Sequence, residues 1–308
     1  MRKILIFLFV AITAQAAVAM PVVDTLGTRL DRAIRRAADI CPSISRDIDS
    51  IKIMAGIGIA GSGVGAVAGG VALYHGWRKW QADDRVSELG ITLERLREAR
   101  ENNDLEFVLT VLGELSEVAE DIQAARVASQ RHGNIRTGAS FIAGGAQAVS
   151  ATAALGGVDS LGNTIINMEV CSAAINEIQT VVNEMILVNS YEIALMERGQ
   201  NIIRACRGMN AENIAVVRTR LRTAGIVSVI GTAAGVTGGV TSAIAVTREG
   251  AGASAANDTR HLNIAANVSA GAAAGAGVGG AILSGTALHG LIRNGNIANA
   301  CANALRAM

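Results

Sequence analysis

Residues equipped for chemistry are few in this chain, and they are scattered. Gly56-Ile57-Gly58-Ile59-Ala60-Gly61 spells GxGxxG, follows the strand-like run 51–54, and has Asp83-Asp84 near the acidic position of a dinucleotide site. That loop cradles a pyrophosphate only between a strand and a helix of an alternating chain, and no such alternation follows. Gly275-x-Gly277-x-x-Gly280 matches as well, so a glycine-rich composition produces the pattern cheaply. The histidines are His75, His132, His261 and His289; all flank glycine-rich stretches, and none pairs with another at metal-ligand spacing. His132 and His261 occupy equivalent places in an internal repeat, which brings them to one loop-end surface if the repeats pack symmetrically. Cys41, Cys171, Cys206 and Cys301 contain no Cys-x-x-Cys, so zinc has little support. Neither a Gly-x-Ser-x-Gly elbow nor a Walker A loop is present. Acids between 83 and 121 read as the solvated face of a helix. The expectation is a protein that is not an enzyme, with no catalytic residues, no cofactor and no metal ligands.

What positions these residues is a set of four uncharged, small-residue stretches: 53–77, 137–158, 223–247 and 261–292. Glycine recurs every fourth residue at Gly61, Gly65 and Gly69, at Gly231, Gly235 and Gly239, and at Gly271, Gly275 and Gly279. The second stretch steps Gly144, Ala148, Thr152, Gly156. Small residues at that spacing bare one face of a helix, where another backbone can approach. The three glycine series resemble the glycine zippers of membrane proteins that associate through close helix contacts. The resemblance implies helix packing at those nine glycines. It covers under a third of the chain and names no activity.

Composition sets the class and the address. Two prolines and 3% aromatics remove most of the β-sheet vocabulary, and mean hydropathy is +0.37. Residues 1–19 combine Arg2-Lys3, an apolar run too short for a comfortable span, and Ala17-Val18-Ala19; they read as a secretory signal peptide cleaved after Ala19. Cleavage leaves the chain close to neutral, which argues against nucleic acid as a partner. An even number of cysteines in an exported chain points to disulfides.

Between the glycine stretches the pattern changes. Val86, Leu89, Leu93 and Leu96, then Leu105, Val108, Leu112, Leu115, Ala119 and Ile122, step by threes and fours as a coiled-coil seam does. Asn102-Asn103-Asp104 interrupts the seam, and Asn103 with Glu106 fits a capping box. Residues 78–131 are therefore expected to form a protruding antiparallel coiled-coil hairpin. Residues 20–52 read as an N-terminal helical segment with a break or restart at Pro42. Residues 172–205 read as a connecting amphipathic helix or helix pair, with Asn189-Ser190 as a possible break.

The two halves look duplicated. Ala55-Gly56-Ile57 matches Ala224-Gly225-Ile226, and Arg131-His132-x-Asn134-Ile135 matches Arg260-His261-x-Asn263-Ile264. Each half reads cysteine, polar helix, glycine helix, return loop, glycine helix, cysteine: Cys41 to Cys171, whose hairpin 53–171 carries the coiled-coil insertion, then Cys206 to Cys301 within 206–308. The duplication favours Cys41–Cys171 with Cys206–Cys301; Cys41–Cys206 with Cys171–Cys301 stays open. If each glycine helix crosses a bilayer, all four cysteines share one side with the mature N-terminus. A cleaved signal delivers that side to the exterior, where disulfides form. Lys and Arg are slightly more numerous there, which runs against the positive-inside tendency, a rule that long loops blunt.

The expected protein is all-α: two glycine-zipper hairpins serving as transmembrane helices, plus the coiled-coil arm. Its expected role is an exported, structural or self-associating protein of a bacterial cell-envelope membrane. Membrane lipid and either a second copy or a helical protein are the expected partners. A pore would be lined by Ser62, Thr152, Thr232, Thr237 and Ser269. The alternative is a soluble periplasmic or secreted binding module that uses the arm.

Overall fold

In the computed structural model, residues 25–101, 105–188, 190–249 and 256–307 are described. The signal peptide at 1–19 and the hairpin tip at Asn102–Asp104 fall outside them. The described residues form five helices and no strand: α1 (Leu26–Glu101), α2 (Leu105–Leu187), α3 (Ile193–Cys206), α4 (Ala211–Glu249) and α5 (Ala256–Arg306).

The helices are much longer than the sequence pattern marks them. α1 runs unbroken through Pro42, where a break or restart was expected. Proline at 42 withholds the N–H that Ala38 O would accept, a cost of about 3 kcal/mol in an isolated helix. Tertiary packing outweighs it: Ala37, Cys41 and Ile44 on either side are buried, and Cys41 is bonded to Cys171. The break near Asn189-Ser190 does occur, since α2 ends at Leu187 and α3 starts at Ile193. The a/d side chains from Leu93 to Leu115 are outside the described set, so their contacts carry no statement; both helices of the arm are present on either side of the tip.

The chain divides into two compact units, each drawing on several helices. One contains α1 up to Arg46, Thr164–Ala211 and the chain from Asn294 onward. Its core has the usual make-up of a water-soluble domain. Leu30, Ile34, Ile44, Met168, Ile178, Met185 and Ile202 are fully or almost fully buried. Charged residues lie at its surface, with Arg29 bonded to Glu184 at 2.9 Å. Both disulfides are here, Cys41–Cys171 and Cys206–Cys301, in the pairing that the duplication favours.

The other unit, Asp47–Asn163 with Glu212–Arg293, holds the four glycine-rich segments. Its side chains are distributed the opposite way. Within 53–77, 137–158, 223–247 and 261–292, every described buried apolar side chain but Leu291 is an alanine, accompanied by glycine, serine and Gln147, and larger aliphatics such as Ile51, Leu161 and Leu221 are buried just outside these segments. The large aliphatics of the same segments face outward: Ile53 is 67% exposed, Val67 70%, Ile142 58% and Val268 67%. Small interiors let the helices approach closely. Ala72, Ala139 and Ala270 form one layer, and Ala68, Ala143 and Ala273 the next. The stretches Leu26–Ile91, Ala119–Leu187, Ile193–Glu249 and Thr259–Arg306 are each long and apolar enough to cross a membrane.

Candidate functional site: the polar seam of the glycine bundle

The nine zipper glycines divide by helix. On α1, a Cβ at Gly61 would lie 2.8 Å from Ala146 O, one at Gly65 2.6 Å from Gln147 Nε2, and one at Gly69 2.7 Å from Ala274 N. On α4, Gly235 faces the backbone of Gly144 at 2.5 Å, Gly231 faces Ala276 and Gln147, and Gly239 faces the ring of Phe141. On α5 the structure corrects the expectation. A Cβ at Gly271 or Gly275 would meet nothing within 4 Å, and at Gly279 only a Val227 methyl at 3.6 Å. The interior glycines of α5 are Gly277, whose Cβ would collide with the Ala66 backbone, and Gly280, set against Ser62 and Ser228. Two residues are about 200° of helix rotation, so the α5 series points away from the bundle.

Polar side chains occupy the seam between these glycines, in layers. Gln147 on α2 lies in a notch made by glycines of three other helices: Gly65, Gly231 and Gly277. Its Nε2 donates to Ala273 O at 3.5 Å, and its Oε1 has no partner. One turn along, Ser62, Ser150 and Ser228 bring hydroxyls from α1, α2 and α4 together. Ser150 Oγ lies 2.6 Å from Ser62 Oγ and 3.1 Å from Ser228 Oγ. Ser150 donates its single proton to Gly58 O at 2.9 Å, so it accepts from the other two. Ser284 on α5 completes the ring of helices but has no partner, as does Ser140.

This layer yields a contrast in stability. Ser284→Ala removes an unpaired buried hydroxyl and is expected to be neutral or stabilising by up to about 1 kcal/mol. Ser150→Ala strands the Ser62 and Ser228 hydroxyls and is expected to cost about 1–3 kcal/mol. Thermal or denaturant unfolding of the two variants beside the parent chain measures the difference.

At one end of the seam the polar groups become ionic. Lys79 is 1% exposed, yet it is fully partnered. Its Nζ donates to Asp83 Oδ2 and reaches Glu249 Oε2, both at 2.7 Å, and donates to Ser129 Oγ at 3.1 Å. Ser129 Oγ in turn donates to Asp83 Oδ1 at 2.6 Å. Arg136, fully buried, donates through Nε to Ser242 Oγ at 2.8 Å and through Nη2 to Asn263 Oδ1 at 2.7 Å. A longer bond of 3.3 Å reaches Asn267. Asn263 Nδ2 donates to Glu249 Oε1 at 2.9 Å, so one carboxylate joins the lysine cluster to the arginine cluster. Lys79 meets both anions directly, Arg136 is held by neutral oxygens and reaches Glu249 only through Asn263, and α1, α2, α4 and α5 each contribute. A buried charge is tolerated when paired and hydrogen-bonded in this manner.

The histidines do not follow the repeat. His132 meets His75, with Nδ1 atoms 2.8 Å apart, while His261 and His289 are exposed. Repeat symmetry fails because Asn263 and Asn134 have different surroundings: the first is in the network and the second is exposed. Of the five residues expected to line a pore, Ser62 alone is buried. Thr152 and Thr232 spend their hydroxyls on the carbonyls of Ala148 and Ser228 in their own helices.

Sequence reasoning missed Gln147, Lys79, Glu249 and Arg136. Gln147 had a signal, as the sole amide in a stretch of otherwise small or apolar residues. The charged residues had none, because each sits just outside an uncharged stretch and resembles an ordinary flanking charge. The seam contains no nucleophile activated by a base and no group of metal ligands among the described residues. Its geometry is suited to holding helices in register. Compared with protein-family models, curated proteins and solved structures, the chain finds no match.

Proposed function

We propose that this is an exported, multi-span helical membrane protein whose work is structural or associative rather than enzymatic. The observation that carries the reading is the inverted interior of the glycine unit. In water, a surface of isoleucine and valine around a core of alanine and glycine exposes what burial would stabilise by roughly 25 cal/mol per Å². In lipid the same surface is solvated, and small residues are the ones that let helices pack. Tyr74, Trp77 and Trp80, all about half exposed at one end of the α1 segment, suit the aromatic belt of a membrane interface. The disulfides accord with an oxidising compartment.

In this reading the bundle is an anchor, and the ionic cluster and serine layer fix its four helices against one another. The sealed seam does not favour a pore within one chain. Lipid is one partner; a second copy or a helical protein on the coiled-coil arm is the other.

Fractionation tests the reading. The expressed chain should stay with membranes through carbonate and urea washes, and after reduction with a membrane-impermeant reductant all four cysteines should be labelled by an impermeant thiol reagent from the exterior face and not from the other. Release into the soluble fraction would overturn the membrane assignment and leave the arm, as a soluble binding module, to be pursued.

A further inference from the structure

The two disulfides are neighbours. The Sγ atoms of Cys41, Cys171 and Cys301 all lie within 4.8 Å of one another, and all three residues are buried. Cys301 is bonded to Cys206, the most accessible of the four at 4% exposed, where α3 ends. Arg204 and Arg207 flank it in sequence, and the turn that follows includes Gly208 at a positive φ of 97°. All four cysteines belong to the same compact unit. Separate structural disulfides need no such proximity, because each closes its own hairpin.

From this we infer that the four cysteines form a single thiol–disulfide exchange centre, with Cys206 as its entry and Cys301 as its relay. The incoming reagent is a thiolate, either a small thiol or a cysteine of an exported oxidoreductase. It attacks Cys206 Sγ, forming a mixed disulfide at Cys206 and releasing Cys301 as thiolate. The Cys301 sulfur then attacks the neighbouring bond at Cys41 or Cys171. The Cys41–Cys171 bond breaks, Cys301 becomes joined to one of the two, and the other leaves as thiolate and takes a proton from solvent. One thiol enters and one emerges, so no oxidant or reductant is consumed. Attack requires the sulfurs to close by an ångström or more, and the leaving thiolate forms in apolar surroundings that disfavour it. Exchange is accordingly slow, on the order of minutes to hours without a catalyst.

The structural outcome is specific. The resting pairs tie α1 to α2 and α3 to α5, each within one half of the duplication. The exchanged pair, Cys301 with Cys41 or Cys171, ties the two halves to each other. The inference stands on the cysteine unit alone, so it holds or fails independently of the membrane assignment.

The test is disulfide mapping of the full chain. Cys206→Ser leaves Cys301 free beside Cys41–Cys171. After hours at pH 8, acid quenching, alkylation and digestion, peptides joining Cys301 to Cys41 or Cys171 should reach an abundance comparable with the Cys41–Cys171 peptide. Wild-type chain treated with reduced glutathione should give the same joined peptides together with glutathione on Cys206, with no substitution present to disturb folding. Cys301→Ser is the control: it leaves Cys206 free, outside the close trio, and should retain Cys41–Cys171. Native pairs alone in both Cys206→Ser and the glutathione-treated chain would overturn the inference. So would pairs joining Cys206 to Cys41 or Cys171 as abundant as those of Cys301, since they would mark general scrambling.

Discussion

Gly235→Leu is expected to destabilise the glycine bundle more than any other single substitution on α4, by about 3 kcal/mol or more. Its Cβ alone would sit 2.5 Å from Gly144 N and 3.0 Å from Ser140 O. Those atoms are backbone, so no rotamer change relieves the clash, and α2 and α4 must separate. In lipid, separation also forfeits the close packing that drives association. Gly277→Leu meets the Ala66 backbone in the same manner and should fall in the same class. Gly275→Leu is the contrast. It has the same chemistry on the same helix as Gly277, but its Cβ enters open space, and a change within about 0.5 kcal/mol is expected. Thermal unfolding in detergent, read by circular dichroism, compares the three. Equal losses at Gly275 and Gly277 would show that α5 is rotated from the orientation described.

The second large effect is at Lys79. Lys79→Met keeps the stem that packs beside Gly133 and removes the charge, leaving Asp83 and Glu249 without their cation. Breaking a buried pair from one side costs about 3–5 kcal/mol. Asp83 is partly exposed, so the lower end of that range is expected. The companion variant Lys79→Met with Glu249→Gln removes opposite charges together while keeping an acceptor for Asn263. It should recover much of the loss, because the main penalty is the unpaired carboxylate rather than the missing bond. Denaturant midpoints for the parent, single and double variants form the required cycle. A double variant as unstable as the sum of the singles would count against a shared network.

The sequence carries the large features of this fold in its charge pattern. Four uncharged stretches, scarce aromatics and an even set of cysteines were enough to reach helical hairpins and to favour closure by Cys41–Cys171 and Cys206–Cys301 over the alternative pairing. The break near Asn189 was legible because two turn-forming residues stand together there. Finer features depend on rotation about a helix axis, which composition does not record. α5 carries two interleaved sets of small-residue positions: 271, 275 and 279 fit the four-residue spacing, and 277 with 280 does not. Only the packed helices choose between them, and they choose the second. The ionic cluster was hidden for a related reason. Lys79 and Glu249 are 170 positions apart, and no local signal distinguishes a buried flanking lysine from a solvated one. Pro42 misled because a local rule met a tertiary override.

The alanine and glycine interior has an entropic consequence. Burying alanine or glycine freezes no side-chain rotamers, whereas each leucine in the same place would forfeit about 0.5–1 kcal/mol of rotameric freedom. Lipid offers helices no hydrophobic reward for meeting, so an association that immobilises little beyond the backbone needs only modest attraction to persist. Away from the segment ends, where Ile51, Leu161, Leu221 and Leu291 are buried, the few rotamers this interior must fix belong to Gln147, Lys79, Arg136 and their partners. Freedom is lost there, and those side chains are what distinguish one arrangement of four nearly featureless helices from every other.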